Sequence, residues 1–316
     1  MSERSNQRTG VGPCMNGGKP FCYHDQGVKE AAKPRKPMSN GSLTPYSKLD
    51  AVLEEHAKSM QRVLGTEFVG EYLQGSLAIG DFDLTSDVDF IVVTREDLSE
   101  REVVEVQATH RRMYDQDNLW VKRLEYSFFP TPVLQQPSSP YTDAGVPAQS
   151  EELWYFDNGS PTIQRSDHDN TLVVRWTVRE MGVTVLGPNP ATLIDPVPAD
   201  ELRKEIGNTL VGWGQELLQD PGRYKNRFYQ SYLVLNFCRM LHDLSEGKVS
   251  SKLAGLKWAK SNLDPQWIPL IDYCWKERQD TSIFTHQPAD HAIYQQTLQF
   301  VGYAVERAKD YEIPGS

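Results

Sequence analysis

A chain of 316 residues with 39% hydrophobic and 10% aromatic content has a globular composition, with length enough for one large core or two ordinary domains. Its formal net charge of −10 argues against a broad nucleic-acid footprint, which needs a basic face, and suits a cationic small-molecule substrate. No apolar stretch approaches the length of a membrane helix, and nothing in the four cysteines demands an oxidising compartment, so a cytoplasmic protein without nucleic-acid or membrane partners is expected.

Residues 1–40 are rich in Gly, Pro, Lys, Arg and Ser and poor in aliphatic side chains, and read as a disordered leader. Cys14, Cys22 and His24 within it match no common zinc spacing and lack a fourth ligand. From Pro45 the pattern becomes orderly. Residues 49–64 have helical periodicity, 68–73 read as a strand, and Gly75-Ser76 as a turn. A second strand covers 87–94, a charged amphipathic helix 98–115, and a third strand 121–129. Residues 130–165 read as a long loop holding one short strand at 153–156. Residues 170–181 fit a strand or a helix, and 183–186 a short strand. Pro196 to Pro198 reads as a hinge, after which helices are expected at 199–218, 224–246, 250–262, 266–279 and 288–310. Cys238 and Cys274 lie in apolar helical stretches and read as buried thiols. The expected domains are therefore a mixed α/β unit over 41–196 and an all-α helical bundle over 197–316.

The chemistry concentrates at Gly75-Ser76, followed after nine residues by Ser86-Asp87-Val88-Asp89 and an apolar run. On a strand, Asp87 and Asp89 project from one face while Val88 points into the core. Two adjacent carboxylates repel, and a divalent cation relieves that repulsion; oxygen-only ligands favour Mg²⁺ or Mn²⁺. Gly75-Ser76 offers backbone that a phosphate can approach closely. On the third strand Glu125 shares a face with Ser127, a pattern equally natural for a solvated surface residue. Two cations sit in locally unfavourable places. Arg239 lies within a nearly apolar helix, and Lys252 follows Ser250-Ser251 in a first helical turn, against the helix dipole. A structural ion pair for Arg239 and plain exposure for Lys252 are the alternative readings.

The Gly-Ser and Asp-x-Asp motifs resemble the signature of the polymerase-beta-like nucleotidyltransferase superfamily. Leu124-Glu125, Arg179-Glu180, Gly187-Pro188, Asp195-Pro196-Val197-Pro198 and the segment from Leu235 through Arg239, Gly247-Lys248, Lys252 and Trp258-Ala259 narrow the resemblance. Together they resemble the aminoglycoside adenylyltransferases that act on streptomycin and spectinomycin, from about Gly70 to Glu277. The resemblance implies an α/β nucleotidyltransferase domain followed by a helical domain that closes over Mg²⁺·ATP, and AMP transfer to a hydroxyl of a cationic, aminoglycoside-like acceptor. It implies Asp87 and Asp89 as ligands of two Mg²⁺ ions, Glu125 as catalytic base, and Gly75, Ser76, Ser86, Arg239 and Lys252 at the nucleotide. Trp213 and Asp169 become candidates for the acceptor. Trp213 and Asp220 stand further apart than the comparable pair in the family, and the position near Arg278 lacks the family's nucleotide-contacting tyrosine. A housekeeping nucleotidyltransferase acting on a metabolite or protein hydroxyl, and a nucleotide sensor without turnover, stay open as alternatives.

Overall fold

The structure, a computed structural model, describes residues 42–136, 151–283 and 285–311; the leader, with Cys14, Cys22 and His24, lies outside them. Helix α1 (Ser47–Leu64) buries the stripe Leu49, Val52, Leu53, His56 and Met60. Asp50 in its first turn accepts from the Thr44 backbone N–H at 2.7 Å and the Thr44 hydroxyl at 2.6 Å, fixing the entry of the chain. Strand β1 (Phe68–Leu73) runs into α2 (Gly75–Ile79), so the expected Gly-Ser turn is the start of a single helical turn closed by Gly80 in the left-handed region. β2 (Val88–Thr94) follows, its residues from Phe90 to Thr94 all buried. α3 (Glu100–Tyr114) begins with a capping box in which Ser99 and Glu102 each satisfy the other's backbone N–H.

A 3₁₀ turn occupies Val121–Arg123 before β3 (Leu124–Pro130), which is why the third strand starts later than its alternation suggests. The stretch read as a loop contains more than one strand. It holds α4 (Thr131–Gln135), β4 (Leu153–Phe156) and β5 (Ile163–Ser166), besides residues outside the described part. The ambiguous segment is a helix, α5 (Leu172–Met181), capped by Thr171, and β6 (Val183–Leu186) follows. The six strands form one sheet in the order β5-β4-β3-β2-β1-β6. Among the described residues only β2 and β3 pair in parallel; the other pairings are antiparallel, so the sheet is mixed.

The rest is helical: α6 (Ala199–Gln219), α7 (Arg227–Glu246), α8 (Lys252–Asn262), α9 (Ile268–Arg278) and α10 (His291–Ala308). α7 is apolar almost all round and sits at the centre, against α6, α8, α9 and α10. Gly255 of α8 lies where an added Cβ would come within 2.5 Å of the Arg239 Cα, so α7 and α8 touch backbone to backbone. Cys238 and Cys274 are free and buried in this core. The two halves are tied at α5. Buried Glu205 of α6 accepts from the backbone N–H groups of Leu172 at 2.9 Å and Val173 at 3.1 Å, capping the helix from the other half. Arg175, also buried, donates to the carbonyls of Val133 and Leu134 and to the Asn170 side chain, clamping the end of α4.

Candidate active site

The parallel pairing of β2 with β3 sets Asp89 directly opposite Glu125. Val88 and Phe90, on either side of Asp89, are fully buried, so the alternation of the strand leaves the acid on the other face. Gly75 stands against Asp89. Its φ is +57°, and a Cβ there would fall 2.1 Å from Asp89 Oδ2, so only glycine fits. The backbone N–H of Gln74 also donates to the Asp89 carbonyl at 2.9 Å. Ser76, half-buried, follows Gly75 in α2. Asp87, just before β2, is exposed to solvent, and its Oδ1 accepts from Asn158 Nδ2.

The acids burden one another. The surrounding protein and the Glu125 charge push the Asp87 carboxyl up to about 7, although its tip is open to water. Burial and the charges of Glu125, Asp87 and Asp169 hold Asp89 well above the carboxylate range. Glu125 goes the other way. Burial would raise it, but His168 Nε2 at 3.3 Å and the Tyr155 hydroxyl at 2.7 Å, both on Oε1, keep it below its ordinary value. The pairing is reciprocal. Burial alone would lower His168, yet Glu125 and Asp169 raise it to about 10, so the imidazole is cationic beside an ionised glutamate.

This donor set fits a divalent cation that shares its ligands with a phosphate. Two hard, electrostatically strained carboxylates stand on one strand edge. Among the described residues no three His, Cys, Asp or Glu side chains are grouped to hold an ion by themselves. Mg²⁺ commonly takes one or two carboxylates and completes its shell with substrate phosphate and water.

The helical half contributes cations. Ser251 caps α8 by accepting from the Ala254 N–H at 3.0 Å, which points the Lys252 stem across the Tyr232 ring, with Nζ 4.8 Å from its centroid. Burial and the positive charges of Arg239 and Arg278 push Lys252 down to about 7, while Asp87 and Asp89 pull it up. Arg239 lies one turn before Asp243, whose carboxyl feels its charge, and its backbone packs on Gly255.

Three predicted residues are engaged in buried contacts of their own. Ser86 is buried and its hydroxyl bonds to Asp83 within its own turn. Asp169 is 5% exposed; it accepts from Ser127 at 2.7 Å and Gln74 at 3.3 Å, and so braces the strands from within. Trp213 is stacked on Phe237, centroids 5.2 Å apart, inside the helical core. Both Asp169 and Trp213 are buried. In exchange the structure adds Tyr155, Asn158, His168 and Arg278, to which no role attached in the sequence. The apolar strand signal at 153–156 located Tyr155; nothing local marked the others.

A family model of the nucleotidyltransferase domain matches residues 53–136, and one of the aminoglycoside adenylyltransferase C-terminal domain matches 192–305. A spectinomycin 9-adenylyltransferase of Staphylococcus aureus is 26% identical over 235 residues, covering 69% of this chain and 81% of the relative. An aminoglycoside (3'') (9) adenylyltransferase of Klebsiella pneumoniae is 30% identical over 93 residues, 29% of this chain and 33% of the relative. The solved spectinomycin adenyltransferase from Enterococcus faecialis, with ATP and spectinomycin, superposes with a TM-score of 0.56 over 82% of this chain and 98% of that one. At 15% identity that likeness concerns the fold.

Proposed function

The chain belongs to the aminoglycoside adenylyltransferase family and is a nucleotidyltransferase, and from that premise we propose that it transfers AMP from ATP to a hydroxyl of an aminoglycoside-like acceptor. The observation that carries the reading is the meeting of Asp87, Asp89 and Glu125, on parallel neighbouring strands, with the field of Lys252 from the helical half. An acidic wall beside a cationic one suits a metal–triphosphate on one side and a cationic polyol on the other.

Asp87 and Asp89 would hold Mg²⁺, one ion or two, which supplies Lewis-acid neutralisation of phosphate charge. Glu125, ionised and fixed through Oε1, takes the proton from the acceptor hydroxyl with its other oxygen. The new bond joins that oxygen to the α-phosphorus, the α–β bridging bond breaks, and pyrophosphate leaves. Lys252 and Arg239 balance the triphosphate charge and, with Gly75 and Ser76, hold the line of attack. Ser86 acts by shaping the turn before Asp87. The same reading divides the chain after residue 196. It is supported by the helical core, which apart from Leu172 begins at Leu202, and the sheet cores, which end at Ile194.

The test is pyrophosphate release from Mg·ATP across a panel of spectinomycin, streptomycin and other aminoglycosides, with mass detection of the adenylylated product. An acceptor-dependent product carrying one added AMP is expected. Release only with an unrelated metabolite or protein would overturn the acceptor class. ATP binding with no release under any acceptor would replace the enzyme by a sensor.

A further inference from the structure

α9 ends on Arg278, which crosses from the helical half to the turn immediately before Asp87. Its Nη1 donates to Asp83 Oδ2 at 2.8 Å and to the Thr85 hydroxyl, and its Nη2 reaches Ser86 Oγ at 3.4 Å. The guanidinium is nearly covered, at 16% side-chain exposure. Asp83 is engaged on its other oxygen as well. Oδ1 accepts from the Thr85 N–H at 2.8 Å, the Thr85 hydroxyl at 2.6 Å and the Ser86 hydroxyl at 3.2 Å. One carboxylate therefore organises the turn from inside while one guanidinium from a distant helix clamps it from outside. A guanidinium fork suits this task, because its donors are fixed in one plane.

We propose that Arg278 is a positioning residue, a latch from the helical half that holds the Asp83–Ser86 turn, and with it Asp87, in the arrangement that receives the nucleotide. The inference rests on the nucleotidyl-transfer reading above. The contact ties the helical half to the turn that carries Asp87, and so couples the placement of the two halves to the shape of the nucleotide site. Losing it lowers the competent fraction and weakens ATP binding without removing a phosphate ligand.

The experiment is calorimetric titration with Mg·ATP, alongside thermal melting, of the wild type, R278A, R278K, D83A, the D83A/R278A double variant and K260A. Lys260 pairs with Asp272 in the same half and serves as an ion-pair control expected to leave ATP affinity unchanged. R278A is expected to lose affinity about tenfold or more, the usual worth of charge-assisted contacts. R278K keeps the charge but not the fork, and is expected to stay weak. In the D83A background, R278A is expected to cost little more. Wild-type affinity in R278A or R278K would overturn the latch. So would an undiminished R278A effect on top of D83A, which would make Arg278 a direct phosphate ligand. If R278A does not fold, R278K and D83A carry the same comparison. Failure of the wild type to bind Mg·ATP would instead overturn the nucleotidyl-transfer reading, and the latch with it.

Discussion

At Asp89 two demands meet that no single structural role explains. The chain places glycine where any Cβ would strike the carboxylate, and it sets a second acid directly across the strand pair. A carboxylate so confined is a liability to the empty fold, since burial and like charge both oppose its ionised form. Asp89→Asn and Asp87→Asn are therefore expected to abolish AMP transfer while leaving the melting temperature at pH 8 unchanged or higher. Turnover and melting measured on the same preparations decide it, and near-normal turnover in either variant would remove that residue from the metal site. Glu125→Gln is expected to cut turnover on the order of 10² to 10⁴-fold with ATP affinity nearly intact, the usual worth of a general base. Collapse of ATP binding instead would mark Glu125 as a metal ligand. The positions of these acids were legible in the sequence because strand alternation is a local rule. The partners of Glu125 were not. His168 arrives from the turn after β5 and Tyr155 from an antiparallel neighbour, and no spacing in the chain encodes either approach.

Elements with strong periodicity could be read, whereas β5, which depends on its pairing partner, could not. β5 has the half-exposed pattern Ile163-Gln-Arg-Ser166 and becomes a strand because β4 is there to pair with it, Trp154 opposite Arg165. The Arg165 guanidinium lies over the Trp154 ring at 4.2 Å, a contact no propensity anticipates. α8 could be read from its cap, yet its placement depends on Gly255. Gly255→Ala must push α8 off the Arg239 backbone, and is expected to destabilise by about 1–3 kcal/mol and to weaken ATP binding by displacing Lys252. Denaturant melts and ATP titration check both parts. α3 carries a pH signature. His110 packs against Phe156 and Tyr126, and burial, with the His56 charge, pushes its imidazole down to about 3. Its ordinary value is 6.5, so below that pH the unfolded chain takes a proton that the fold refuses until about 3. Stability is thus lost as pH falls through this window, by up to about 1.4 kcal/mol per unit for one group. The buried carboxylates with raised values act in the opposite sense, so the difference between wild type and His110→Gln isolates the effect. The wild type should lose ground against the variant between pH 6.5 and 4.5. A difference that does not change with pH would discard the assignment.

The described residues form three hydrophobic cores, one on each face of the mixed sheet and one around a central helix, and the helical half sets Lys252 within the field of Asp87 and Asp89. The sequence marked both halves because the period of its apolar residues changes near Pro196. It could not show how the halves face each other, which depends on Glu205 capping α5 and on α8 presenting Lys252 toward β2. Lys252 is held in a poor environment by the empty protein. Burial and two neighbouring guanidinium groups depress it to about 7, and a triphosphate would reverse the sign of that field. Arg278 is paired with Asp83, so an arriving anion would relieve chiefly the opposition between Lys252 and Arg239. Arg239→Ala and Lys252→Ala are therefore expected to weaken Mg·ATP binding by about one to two decades each. Lys252→Ala is also expected to leave the melting temperature of the ATP-free protein unchanged or raised, since it removes a disfavoured charge. A purely structural role predicts the opposite pair of results, lowered melting with affinity intact in the folded fraction. Calorimetry against melting for both variants separates the two. Wild-type affinity in both well-folded proteins would leave the nucleotide to the α/β half alone and remove the reason for the closed arrangement.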